Sequence, residues 1–147
     1  MSKVKQAVQC FNNGFNCSQA IFSTYSEQLG LDKETALKVS CPFGGGIARM
    51  SETCGAVTGA YMLIGLKYGK YLPEDNEARE KSYALVKEFT EKFNAIHGSI
   101  SCRDLLKYDM KNPDDLKVIK ENNLWNKLCP IFVSDAAQLI EELLELE

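Results

Sequence analysis

Apolar positions along the chain recur at three- and four-residue steps, and no stretch alternates with the period of a strand. Val4, Ala7, Val8 and Phe11 share one face of a predicted first helix that Gly14 stops. Asn16 is placed to cap a second helix, with Ala20, Ile21, Tyr25 and Leu29 as its stripe and Gly30 as its end. Asp32 opens a short third helix to about Val39, and the stretch CPFGGGIARM then breaks the pattern. Ser51 is the expected cap of a fourth helix reaching Tyr68, with Gly69 as its stop. The acids of YLPEDNE begin a long fifth helix that carries Leu85, Val86, Phe89, Phe93 and Ile96 and ends at Gly98. Ser99 or Ser101 caps a sixth, and Asn112 with Pro113 starts a seventh. Pro130 opens the last, with Phe132, Ala136, Leu139, Ile140 and Leu143 facing inward. The expectation is an all-α bundle of about six to eight helices, a single domain spanning residues 1–147.

Composition adds little to that picture except by exclusion. Of the 147 residues, 45% are hydrophobic and 25% charged, enough for one ordinary core. The net charge is -3 with no basic stripe, which argues against nucleic acid or an anionic membrane as the main partner. The longest apolar stretch, Ala56 to Leu66, is interrupted by Thr58, Gly59 and Gly65 and is too short to span a bilayer. The first residues lack the apolar core of a signal peptide. The expected location is the cytoplasm, without membrane insertion. That location changes the meaning of the six cysteines. In an exported chain they would suggest three disulfides; in a reducing compartment they point to metal binding, catalysis or redox chemistry.

Placed on the predicted helices, the cysteines fall into a pattern. Cys17 follows the cap Asn16, Cys54 comes three residues after Ser51, Cys102 follows Ser101, and Cys129 directly precedes Pro130. All four lie in or beside the first turn of a predicted helix. Unpaired N–H groups and the positive end of the helix dipole stabilise a thiolate there and lower the thiol pKa. Cys10 falls in mid-helix, and Cys41 ends a helix and begins the glycine loop. The alternative is inert packing: Cys17 aligns with Ile21 and Tyr25, and Cys54 with Val57 and Tyr61, so both face the core side. There is no CxxC pair, so any shared site has to be assembled by the tertiary fold.

The ordered set NCSQAIF, FGGG, CGAVTGAYMLIGLKYG, HGSISCRDLL and LCPIFVSDAAQLIEELL resembles the C-GCAxxG-C-C family, small redox-active proteins named for their cysteine and glycine signature. The resemblance runs from about Phe11 to the C-terminus. It implies that the signature cysteines are Cys17, Cys54, Cys102 and Cys129, with Cys10 and Cys41 outside the signature. In place of Gly-Cys-Ala this chain reads Cys54-Gly55-Ala56, so the alignment rests on Cys54 and Gly59.

The remaining candidates are weaker. Gly44-Gly45-Gly46 lacks the Gly-Lys-Ser/Thr of a phosphate loop; it suits a close backbone approach, or N–H groups turned toward a thiolate. His97, the single histidine, is expected to cap helix carbonyls beside Gly98. Arg49 and Arg103 lie near Cys54 and Cys102 in sequence, where either can steady a thiolate or simply be solvated. Gly55 and Gly59 share a helix face, as close helix packing requires. Trp125 reads as structural, and the tail EELLELE sets acids against the helix dipole, so its end is expected to fray.

Three functions remain. The first is a thiol redox protein in which Cys54 and one of Cys17, Cys102 and Cys129 cycle between dithiol and disulfide with a redox partner. The second uses the four thiolates as ligands for zinc or an iron–sulfur cluster. The third is a helical interaction domain whose cysteines only pack.

Overall fold

The structure is a computed structural model that describes residues 1–146. Among them are eight α-helices: α1 (Val4–Asn12), α2 (Cys17–Ser26), α3 (Lys33–Ser40), α4 (Gly55–Tyr68), α5 (Asn76–His97), α6 (Cys102–Leu106), α7 (Pro113–Glu121) and α8 (Leu124–Leu144). Short 3-10 turns follow α2 at Glu27–Leu29 and α3 at Cys41–Phe43. The fold is all-α, with one isolated β-bridge between Thr53 and Ser101 among the described residues.

Local chemistry sets most of the boundaries. Asn16 accepts from the Gln19 N–H while Gln19 accepts from the Asn16 N–H, a reciprocal capping box at the start of α2. Asp32, Asp75 and Asn112 cap α3, α5 and α7 through their side chains. Gly30 and Gly98 end their helices at φ 95° and 81°, a left-handed turn that glycine takes without steric cost. Helix α2 lies at the centre, against α1, α3, α4 and α8. Its closest partner is α4, because a Cβ on Gly59 would stand 2.9 Å from the Ser18 carbonyl oxygen. The core joins Ile21 and Tyr25 of α2, Leu63 and Ile64 of α4, Phe89 and Phe93 of α5 and Ile140 of α8.

Several expectations are corrected. Helix α8 begins at Leu124, so Pro130 lies inside it and Cys129 is not at a helix start. Interior proline removes one backbone bond and costs about 3 kcal/mol. The extra turns pack Leu124, Trp125 and Leu128 against the core, and that burial outweighs the local penalty. Ser51 does not cap α4: its backbone is left-handed at φ 59°, and its hydroxyl accepts the Met110 N–H at 2.8 Å. Cys54 itself is the N-cap, without a side-chain capping bond. Ile96 of α5 is exposed, and Phe89, Phe93 and His97 take the buried face of that helix. His97 caps no carbonyl; its Nε2 meets the Asp135 Oδ2 of α8 at 2.8 Å, with its ring between Phe93 and Phe132. Ser101 stands at the cap of α6 without a side-chain bond, while Ser99 accepts the Ser101 N–H at 2.9 Å. At the far end of α8, Lys67 donates to the Leu144 carbonyl and so holds the last turn of the acidic tail, whose final residue lies outside the described residues.

Candidate functional site

Three independent devices bring the cysteines together. The first is the capping box that fixes Cys17 as the opening residue of α2. The second is glycine at the α2–α4 contact: a Cβ on Gly55 would lie 2.5 Å from the Cys17 Sγ, so the absence of a side chain there leaves room for the sulfur. The third is the Thr53–Ser101 bridge. The Cys54 N–H donates to the Ile100 carbonyl at 2.7 Å and the Cys102 N–H to the Glu52 carbonyl at 2.6 Å, which holds the starts of α4 and α6 side by side. Cys129 reaches the same place from inside α8.

The result is a cavity of about 480 Å³ onto which Cys17, Cys41, Cys54, Cys102 and Cys129 all open. All six cysteines are free thiols. The four expected from the sequence are only 4–8% exposed, so a reagent reaches them through the cavity. Cys41, set outside the signature, also lines the cavity and is exposed. Cys10 does not; it sits on α1 beside the Ser23 hydroxyl at 3.7 Å. Arg103 is absent from the cavity and instead faces Asp109 at 3.9 Å.

The thiols differ electrostatically. Cys17 is brought down from 9.0 to about 7, first by a side-chain hydrogen bond from Cys54 and then, against the opposing effect of burial, by the backbone N–H groups of Gly45, Gly55 and Ser18. Cys54 is pushed well above its ordinary value by the Cys17 thiolate and by burial, with only the Ala56 N–H acting the other way. The backbone N–H groups of Gly45, Gly55 and Ser18 favour the charge on Cys17. Burial raises Cys102 to about 12, with the Cys17 charge adding to it, and raises Cys129 for the same reasons. The positive effect of a helix start is thus realised at Cys17, whereas at Cys102 desolvation overrides it.

The glycine loop runs close to other elements: a Cβ on Gly46 would stand 2.6 Å from the Cys102 Cβ, and the Gly45 N–H contributes to lowering the Cys17 thiol. Gly45 and Gly46 have φ 66° and 65°, and Ile47, Ala48 and Arg49 continue the left-handed course at 67°, 50° and 63°. Each non-glycine residue there costs about 1–2 kcal/mol relative to right-handed backbone. Such conformations persist where the surroundings over-determine them, commonly at functional sites. Here the Ala48 N–H bonds the Pro42 carbonyl at 2.8 Å and the Glu52 N–H bonds the Gly46 carbonyl at 2.8 Å, tying both ends of the turn. The turn delivers Arg49 to the cavity, where its guanidinium lies 5.5 Å from the centre of the Trp125 ring. Sequence spacing missed Trp125 and Cys41 as site residues. Both depend on long-range packing, although the glycine triplet already signalled unusual backbone beside Cys41.

The four sulfurs share one cavity, but among the described residues no group of three or more His, Cys, Asp or Glu side chains is placed to hold a metal ion. No helix of the described residues is long and apolar enough to cross a membrane.

The helical fold turns a set of inequivalent thiols onto one half-open cavity, the arrangement a redox-active cysteine protein needs. The chain belongs to the C_GCAxxG_C_C family, described as "Putative redox-active protein (C_GCAxxG_C_C)", whose model matches residues 15–143. Comparison with curated proteins and with solved structures finds no match.

Proposed function

We propose that the protein carries out thiol–disulfide exchange, with Cys17 as the attacking thiolate and Cys54 as the resolving thiol. The observation that carries this reading is that Cys17 and Cys54 open onto one cavity where α2 meets α4, the Cys17 thiol brought down to about 7 and Cys54 held well above its ordinary value. A thiolate near neutral pH is both populated and nucleophilic. Cys17 attacks a substrate disulfide, forms a mixed disulfide and releases one thiolate. Cys54, on losing its proton, attacks the Cys17 sulfur, releases the second thiol and leaves a Cys17–Cys54 disulfide. A dithiol redox partner returns the pair to its reduced form. The reading fits a cytoplasmic protein, where the cysteines are kept as free thiols between turnovers.

The test is mild oxidation of the reduced native protein, followed by peptide mapping without reductant. The expected product is a Cys17–Cys54 disulfide that dithiothreitol reverses, and Cys54→Ser should trap a mixed disulfide on Cys17. A Cys17 thiol that resists both oxidation and labelling in the native protein would rule the reading out. The same sample, purified without oxygen, is assayed for zinc and iron, because the ligand-set reading uses the same four thiols.

A further inference from the structure

The cavity carries information about the substrate as well as about the thiols. Phe11, Leu105, Leu106, Trp125 and Phe132 give it apolar walls, and among the described residues Arg49 is the one basic or acidic side chain that lines it besides the thiols. Among the described residues Arg49 has no acidic partner within ion-pair distance, and its guanidinium is held against Trp125. Asn16, the other long polar side chain on the cavity, is already committed: its Oδ1 accepts from Gln19 and its Nδ2 donates to the Cys41 carbonyl at 2.9 Å. An arginine without a counter-ion, carried on a left-handed turn at the edge of an apolar cavity, is a site for an anion attached to an apolar body. The reacting sulfurs are buried at the floor of the cavity, whose volume of about 480 Å³ suits a small molecule.

The geometry points to a small organic disulfide bearing a carboxylate as the substrate class, with Arg49 holding the carboxylate while the disulfide lies against Cys17. This rests on the exchange reading above and goes further by naming what enters the cavity. The exchange balances as before: two protein thiols and one substrate disulfide give one protein disulfide and two small thiols. Arg49 is a binding residue and takes no part in the electron transfer.

The test uses the pre-reduced full chain in single turnovers against three disulfides of similar size: anionic dithiodipropionate, neutral hydroxyethyl disulfide and cationic cystamine. Each rate is divided by that of free mercaptoethanol at the same pH, which removes the reagents' intrinsic differences. The expected result is a preference of about fivefold for the anion over the neutral disulfide, the scale of one partly screened charge pairing. Arg49→Gln should bring the ratio of anionic to neutral disulfide rates down to about one, and Arg49→Lys should restore it. The wild-type ratios need no variant, so a misfolded mutant does not blunt the test. Normalised rates equal for all three reagents, or fastest with cystamine, overturn the inference while leaving thiol exchange standing. Failure of all three to react with Cys17 overturns the exchange reading and this inference together.

Discussion

The space that a side chain on Gly55 would fill is already held by Cys17: its Cβ position lies 2.5 Å from the Cys17 Sγ and 2.9 Å from the Ser18 nitrogen. The two residues open the two helices of the closest pair in the fold, α2 and α4. One contact therefore serves both packing and chemistry, because the Gly55 N–H that approaches the Cys17 sulfur also helps to stabilise its charge.

Gly55→Ala should therefore damage stability and reactivity together. The Cys17 Sγ can turn aside about χ1, but the Ser18 nitrogen at 2.9 Å is backbone, so α2 and α4 have to move apart. Overpacking of this kind costs about 1–3 kcal/mol. Urea unfolding should give a lower midpoint, and iodoacetamide should label Cys17 more slowly at pH 7. A variant with wild-type stability and an unchanged labelling rate would mean that the contact is not as tight as described.

The pH profile of Cys17 labelling tests the charge assignment. The thiolate is the reacting form, so the rate should rise with pH through a midpoint near 7 and level off once ionisation is complete. In Cys54→Ala the largest stabilising influence is gone, and the midpoint should move up by about one pH unit, the scale of one hydrogen bond to a charged group. Cys102, held as a thiol up to about 12, should show no comparable rise near neutral pH. The linkage has a definite sign. A lowered thiol pKa stabilises the fold fully above its ordinary value of 9.0, and this contribution disappears as pH falls through about 7.

Much of this was legible in the sequence. Asn16, Asp32, Gly30 and Gly98 act through bonds and dihedrals within a few residues of themselves, and they mark their helix ends as expected. The four cysteines selected by their place near helix starts do line one cavity. The reason was partly different, since Cys129 arrives from the interior of α8 and Cys54 is itself a cap. Pro130 misled because proline ranks as a helix opener only when nothing upstream gains from being helical, and Trp125 and Leu128 gain from packing. The Cys17–Cys54 pairing and the seat of Arg49 on Trp125 depend on contacts between residues far apart in the chain. No local pattern encodes them.

His97 and Asp135 clip α5 to α8 beside the cavity wall residue Phe132. Asp135→Ala leaves the His97 Nε2, on a side chain only 12% exposed, without its partner. The expected loss is about 1–3 kcal/mol, seen as a lower urea midpoint. The midpoint of Cys17 labelling should stay where it was, because neither residue is among the groups that set the Cys17 charge. A shifted labelling midpoint at unchanged stability would instead place the clip in the chemistry of the site.

Pro130→Ala tests the path of α8 directly. With Pro130 in the helix interior, alanine restores an N–H and allows the missing bond to the Asn126 carbonyl. The local gain approaches the proline penalty of about 3 kcal/mol, reduced by about 0.4–1 kcal/mol for the freedom that alanine adds to the unfolded chain. The net expectation is a protein more stable by about 2 kcal/mol, with a higher thermal midpoint and Cys129 still buried against native labelling. If the helix began at Pro130 instead, no bond would be waiting for the new N–H. Proline would then be at its preferred first position, and alanine there would leave stability unchanged or lower it. The sign of the stability change thus decides whether Cys129 reaches the cavity from within a continuous helix or from its first turn.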